Sequence, residues 1–194
     1  MTKLSLGGKA IAYTTRAKPD FIAITTTQSL VGLLTGVSSA IDESNSIIEN
    51  NNISDPANAI AIAIAKDLAI NLGALLNDSP ISIDTFDAVE IADKARGEAK
   101  FVVDVQTTEW SFGATGNRFS PSLYGVNYSA KALLIDVEHK TVVAEGYCKH
   151  RPDNSNAPTY DELLANEASL LKKQLASAVD ECVKTIKVQM QLFQ

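Results

Sequence analysis

Histidine and cysteine carry most nucleophilic, acid–base and metal chemistry near neutral pH, and this 194-residue chain holds two of each: His139, His150, Cys148 and Cys182. His139 falls where a hairpin turn is predicted, and His150 directly follows the last predicted strand, so both are expected as exposed turn residues. Neither has His, Cys or carboxylate neighbours at metal-ligand spacing, so no metal set is expected. A catalytic role would require one of the two histidines to lie in a cleft beside a carboxylate. No G-x-S-x-G elbow, P-loop or G-x-G-x-x-G turn occurs. Gly7-Gly8-Lys9 precedes its strand, whereas a phosphate-cradling loop follows one and opens a helix. The carboxylate pairs Asp161/Glu162 and Asp180/Glu181 fall on a helix with an apolar stripe and read as its solvated side. The expectation is a protein that is not an enzyme and uses no cofactor.

Seventeen Lys and Arg against 23 Asp and Glu give a net charge of −6. This argues against broad phosphate-backbone binding, which needs a basic face, so nucleic acid is not an expected partner. A chain of this length buries enough surface to fold without a metal or a dense disulfide framework, and residues 1–194 are expected to form a single α+β domain. The charge-free stretch from Phe21 to Ile41 contains four Thr, three Ser and a Gln, too many polar residues for a membrane span. Met1-Thr2-Lys3 leads into Gly7-Gly8-Lys9 and an apolar strand, without the apolar core and cleavage site of a secretory leader. The alternatives are a cytoplasmic protein, or an exported one whose leader is not in this sequence.

Lys9 to Thr15 predicts a first strand, closed by the polar turn Arg16 to Asp20. Leu30, Leu34, Val37, Ile41 and Ile48 share one helical face. Asp55 and Pro56 supply a cap and a first-turn proline for a second helix, whose Ile60, Ile64, Leu68 and Leu72 align and whose end is marked by Gly73. An extended ISI (81–83) and a helical stretch from Phe86 to Arg96 follow. Three segments then alternate with period two: Phe101, Val103, Val105; Tyr124, Val126, Tyr128, Ala130, Ala132; and Val142, Ala144, Gly146, Cys148. Glu138-His139-Lys140 links the last two as a hairpin. Thr159 and Glu162 have capping-box spacing before a long helix with the stripe Leu164, Ala168, Leu171, Leu175, Ala178, Cys182 and Ile186. The predicted order is β-α-α-β-α-β-β-β-α: an α+β fold with a mostly antiparallel mixed sheet packed by helices, the long C-terminal helix lying on the sheet.

That pattern puts Cys148 on the inward side of the last strand and Cys182 on the stripe of the last helix. Packing the two together allows a disulfide closing a loop of about 33 residues, worth roughly 3–4 kcal/mol on the chain-entropy model, and an oxidising compartment. Two buried, reduced thiols are the alternative. The aromatic set Trp110, Phe112, Phe119, Tyr124 and Tyr128, with Tyr147 and with Arg118 nearby, gathers around the meander and its long loop. It can anchor a partner at the surface or pack in the core. Gly32 and Gly36 have G-x-x-x-G spacing, which permits close helix approach in a bilayer or an oligomer, or marks an ordinary buried helix.

Residues VDVQTTEW (103–110), YSAKALLIDVEHKTVVAEGYC (128–148) and the helix carrying Cys182, with the earlier ENNNISDPANAIA (49–61), resemble a group of uncharacterised envelope lipoproteins of Gram-negative bacteria. The strand–helix order is also similar to the amino-terminal domain of TolB and to curli-secretion-type lipoproteins. The resemblance implies a periplasmic or envelope-associated protein, attached to the membrane only through a lipid anchor absent from this chain. The leading expectation is a non-enzymatic domain acting by binding other envelope proteins or by self-association, with Trp110, Phe112, Arg118, Phe119, Tyr124 and Tyr128 as the contact set. The alternative is a small-molecule or lipid-binding periplasmic domain with a pocket between the first long helix and the sheet.

Overall fold

A computed structural model of the chain describes residues 8–24, 37–114, 123–151 and 157–190. Arg118, Phe119, Gly32 and Gly36, and the first part of the helix predicted from Leu30, lie outside these residues. Strand β1 (Ala10–Thr15) is followed by a short β2 (Ile22–Ile24), helix α1 (Val37–Asn50) and helix α2 (Pro56–Leu72). Two two-residue strands, β3 (Leu75–Leu76) and β4 (Ile81–Ser82), precede helix α3 (Ala88–Lys94). The long strands β5 (Phe101–Ala114), β6 (Tyr124–Asp136) and β7 (Thr141–His150) lead to helix α4 (Tyr160–Gln189). The α+β class, the mixed sheet and the C-terminal helix on it agree with the expected architecture. Strands β2 and β3 are additions to the expected order, because two or three residues are too few to show a period.

The sheet runs β3-β1-β5-β6-β7. β5, β6 and β7 are antiparallel, whereas β1 is parallel to β3, β4 and β5. Strand β2 also pairs parallel with β5, matching Ile22–Ile24 to Ser111–Gly113, further along the edge that β1 occupies. Between them, residues 16–21 leave the sheet. The N–H groups of Phe21 and Ala23 donate to Asn45 Oδ1 and Ser44 Oγ of α1, each at 2.9 Å, so α1 satisfies donors along this segment.

Asp55 caps α2 by accepting from the Ala57 N–H, Pro56 opens the helix, and Gly73 closes it in the left-handed region. Ile60, Ala61, Ile64, Ala65 and Leu68 are then buried in the main core with Phe101, Val103, Val105 and the stripe of α4. On the opposite sheet face Ala12, Val102, Leu133 and Ile135 pack with Ile81, Ile83, Ile91, Ala92 and Ala95 around α3. The register of β5 shifts between Thr107 and Glu109, which inserts Thr108 as a bulge. Odd-numbered residues face the main core before it, and Trp110 and Phe112 face the same core after it. A second shift inserts Val143 into β7, which leaves both Val142 and Val143 open to solvent, although alternation from Gly146 and Cys148 predicts Val142 inside.

The capping box of α4 forms as expected, with the Thr159 side chain accepting from the Glu162 N–H and the Glu162 carboxylate accepting from the Thr159 N–H. Ala165 then turns extended and Asn166, Glu167 and Ala168 adopt left-handed backbone. This break rotates the first turn, so Leu163 rather than Leu164 is the buried leucine ahead of Ala168 and Leu171. Cys148 and Cys182 are joined in a disulfide with Cα atoms 5.1 Å apart, tying β7 to α4. Two residues earlier on the strand, α4 lies almost on the backbone. A Cβ on Gly146 would come 3.0 Å from Ile186 Cγ2 and 3.1 Å from the Ile186 carbonyl oxygen. Gly146→Ala should therefore lower stability by about 1–3 kcal/mol through overpacking. Denaturant unfolding measures it, and an unchanged midpoint would mean that α4 shifts away freely.

Candidate functional site

Where residues 16–21 leave the sheet, the ends of β1 and β4, the N-terminus of α2 and the middle of β5 surround a cleft of about 230 Å³. Its walls include Arg16, Asp55, Asp84, Phe86, Gln106 and Thr107. Parallel strands that diverge at their carboxyl ends commonly open such a crevice. A neighbouring depression of about 300 Å³ runs along the bulge from Pro19 to Ser111.

One side of the cleft is built on Asp104, whose side chain is fully buried. Thr14 Oγ1 donates to its Oδ1 at 2.7 Å, and Arg16 grips both oxygens, Nε to Oδ1 at 3.1 Å and Nη2 to Oδ2 at 2.9 Å. Gln106 Nε2 adds a bond to Oδ2 at 2.8 Å. The guanidinium so held lies 4.7 Å from the centre of the Phe86 ring. Phe86 is itself 73% exposed, so an aromatic ring stands at the mouth of the cleft on a fixed support.

On the other side Asp55 is only 7% exposed. Its Oδ1 accepts from the Ala57 N–H at 3.0 Å and from Thr107 Oγ1 at 2.5 Å, and Tyr128 Oη lies 3.0 Å beyond Thr107. Burial pushes the Asp55 carboxyl up from its ordinary value, against the Ala57 and Thr107 hydrogen bonds that pull it down. Burial also raises the Tyr128 phenol, as does the nearby Asp55 charge, so Tyr128 stays protonated across the physiological range.

The aromatic contact set expected from sequence turns inward. Trp110, Phe112, Tyr124 and Tyr128 are all buried in the main core. Phe21 meets Trp110 edge-on at 5.2 Å, and Phe112 meets Tyr124 at 5.9 Å. The bulge at Thr108 is the reason for Trp110 and Phe112, because it turns the even positions of β5 towards the helices. Of the ring nitrogens here, Trp110 Nε1 is buried without a hydrogen-bond partner. Tyr147, by contrast, is exposed on β7.

His150 is also corrected: it is the last residue of β7, buried, with Nδ1 2.7 Å from Glu181 Oε2 on α4. His139 does occupy the β6–β7 turn, where Nδ1 lies 3.0 Å from Asp136 Oδ2. Burial opposes the Asp136 charge, but the His139 bonds and the Lys100 charge outweigh it and hold that carboxyl below its ordinary value. Each histidine thus has a carboxylate partner, yet neither lines the two clefts described. Among the described residues no group of His, Cys, Asp and Glu is arranged to hold a metal ion, and no helix is long and apolar enough to cross a membrane. The described clefts also have no wall from α1, the helix expected to flank a ligand pocket. Asp55 was visible in sequence as a cap, but its neighbours Arg16, Phe86 and Gln106 carry no shared spacing and are joined only by the fold.

No protein-family model matches the chain. No curated protein matches it in sequence. Among solved structures, the PelC dodecamer from Paraburkholderia phytofirmans is 16% identical, covering 100% of this chain and 94% of that one, with a TM-score of 0.44. Hypothetical protein CT253 from Chlamydia trachomatis is 10% identical over 95% of this chain and 98% of that one, with a TM-score of 0.43. Lipoprotein GNA1162 from Neisseria meningitidis is 14% identical over 91% and 98%, with a TM-score of 0.32. These scores are too low to argue function by likeness, which leaves the residues of this chain.

Two measurements probe the site. The folded chain binds the Asp55 proton more readily than the unfolded chain does. The stability contributed by this residue is therefore greatest at low pH and is lost as pH rises through its folded-state value. Asp55→Asn preserves the cap and removes that titration, so its stability should fall less with rising pH across the acid range than that of the wild type; parallel profiles would refute the assignment. Trp110→Ala should cost about 3–5 kcal/mol of stability as a core truncation, read by thermal unfolding. A loss within a few tenths of a kcal/mol would return Trp110 to the surface.

Proposed function

We propose that this chain acts, as one α+β domain, outside the reducing cytosol in the periplasm or cell envelope, where it binds other envelope proteins or copies of itself rather than catalysing a reaction. The observation that carries this reading is strand β7. It is a ten-residue strand at one end of the sheet order, cross-linked to α4 through Cys148–Cys182, with Val142, Val143 and Tyr147 open to solvent. Disulfides persist in oxidising compartments, which supports an envelope location. A long edge strand with exposed apolar side chains is a template for pairing with another chain unless it is covered, which supports a binding role. The contact surface moves accordingly from the aromatic set to the outer side of β7.

A photo-crosslinking residue at position 143, in cells that make the protein, should give covalent adducts with a second polypeptide. The same residue at Ile70, exposed on α2, serves as the control. Position 143 free of adducts, or no richer in them than position 70, would sink the reading.

A second reading draws on the Asp55 cleft: a small ligand, or one side chain of a partner, binds there. A buried carboxylate beside an exposed, supported aromatic ring is the observation in its favour.

A further inference from the structure

We propose that the cleft at Asp55 takes its ligand by a positively charged, hydrogen-bond-donating nitrogen, a primary amine or a basic side chain, with the ligand's apolar body against Phe86. The inference rests on the reading of this cleft as a binding site and assigns its chemistry.

The polarity of the hydrogen bonds leads there. An ionised carboxylate only accepts, so the single Thr107 hydroxyl proton goes to Asp55 Oδ1. Thr107 Oγ1 is then left to accept, so the Tyr128 hydroxyl donates to it. Every proton along Tyr128–Thr107 is thus directed at Asp55, as is the Ala57 N–H, and neither hydroxyl has a proton left for a ligand. Both bonds that Asp55 accepts fall on Oδ1. Its Oδ2 is left as a pure acceptor in a residue almost removed from solvent, an environment that favours a charged donor over any other partner.

The facing wall is neutralised. Arg16 Nε, one Nη2 hydrogen and one Gln106 Nε2 hydrogen go to Asp104, which also balances the Arg16 charge. Arg16 Nη1 is the one guanidinium nitrogen outside that fork. Gln106 contributes its acceptor oxygen. Asp84 adds a second carboxylate at the mouth, itself paired with Lys94. Phe86, with Arg16 stacked on its ring, supplies an exposed apolar surface for whatever carries the amine.

The test uses the full chain and three probes of one shape: benzylamine, benzyl alcohol and phenylacetate, titrated separately at constant ionic strength and followed by the NMR signals of Ala57, Phe86 and Thr107. Benzylamine should shift these signals saturably and bind about tenfold or more tighter than either other probe, the worth of one charge-assisted hydrogen bond. Asp55→Asn is the decisive variant. Its Oδ1 still accepts from Ala57 and Thr107, so the helix stays capped, while an NH2 replaces Oδ2 and turns the acceptor into a donor. Benzylamine should then lose its advantage, and phenylacetate should bind at least as well. Phe86→Ala should weaken benzylamine severalfold and leave its preference over phenylacetate unchanged. If phenylacetate matches benzylamine on the wild type, or Asp55→Asn leaves benzylamine untouched, the cleft binds ligands but the amine assignment is wrong. If no probe shifts these signals, the cleft is not a site, and both readings fall together.

Discussion

A carboxylate inside a sheet has to be partnered on every side, and Asp104 sets that constraint for this fold. Removing its charge from water costs several kcal/mol, which only well-placed donors recover. Those donors come from the end of β1 (Thr14), from the first residue beyond it (Arg16) and from β5 itself (Gln106). The network therefore fixes where the chain departs from β5. Once that point is set, residues 16–21 must bow outwards before β2 rejoins the strand at Ser111. The bulge at Thr108 lies in the same interval, where β5 has no parallel partner on that edge. The gap opens there, lined by the exposed ring of Phe86, which rests on the Arg16 that Asp104 holds, and by the buried carboxylate of Asp55.

The other end of the architecture relies on proximity instead. Gly146 lets α4 approach the backbone of β7, and the Cys148–Cys182 bond and the His150–Glu181 pair follow along the same seam at residues of like parity. These contacts are spaced two residues apart on the strand and meet the helix at Ile186, Cys182 and Glu181 in turn, so strand and helix run side by side through all three. The Lys187–Asp67 ion pair then joins α4 to α2. Strand, helix and neighbouring helix are thereby fastened to one another.

Much of this was legible in the residues and some of it was not, for definite physical reasons. Asp55-Pro56, Gly73 and the Thr159/Glu162 box announce helix ends by local chemistry, and the structure uses each of them. The three long strands declare themselves through period two. The cysteine pair was placed correctly because both residues sit on regular elements whose inward sides can be counted. What failed was counting across an irregularity. Thr108 and Val143 each change the parity of a strand, and the left-handed turn at 166–168 changes the phase of a helix. In β5 the apolar residues pass from odd Val105 to even Trp110, a phase change that marks the bulge and puts the rings in the core, one of the two places open to them from sequence. Period two ends at Cys148, so the sequence places His150 beyond the strand, whereas β7 runs on to include it. The cleft had no local signal, since Thr107 and Asp55 are separated by 52 residues and meet only through the sheet.

One contact at the end of α4 has a consequence for how an added strand would fit. The Tyr147 N–H points away from β6 and donates to Gln189 Oε1 at 2.6 Å. The helix terminus thus closes one rung of the open edge, beside the disulfide, and leaves the stretch towards Thr141 uncovered. If a partner strand adds to β7, the last turn of α4 sets how far along the edge it pairs before it meets a rung already taken, so the length of a helix limits the length of a visiting strand.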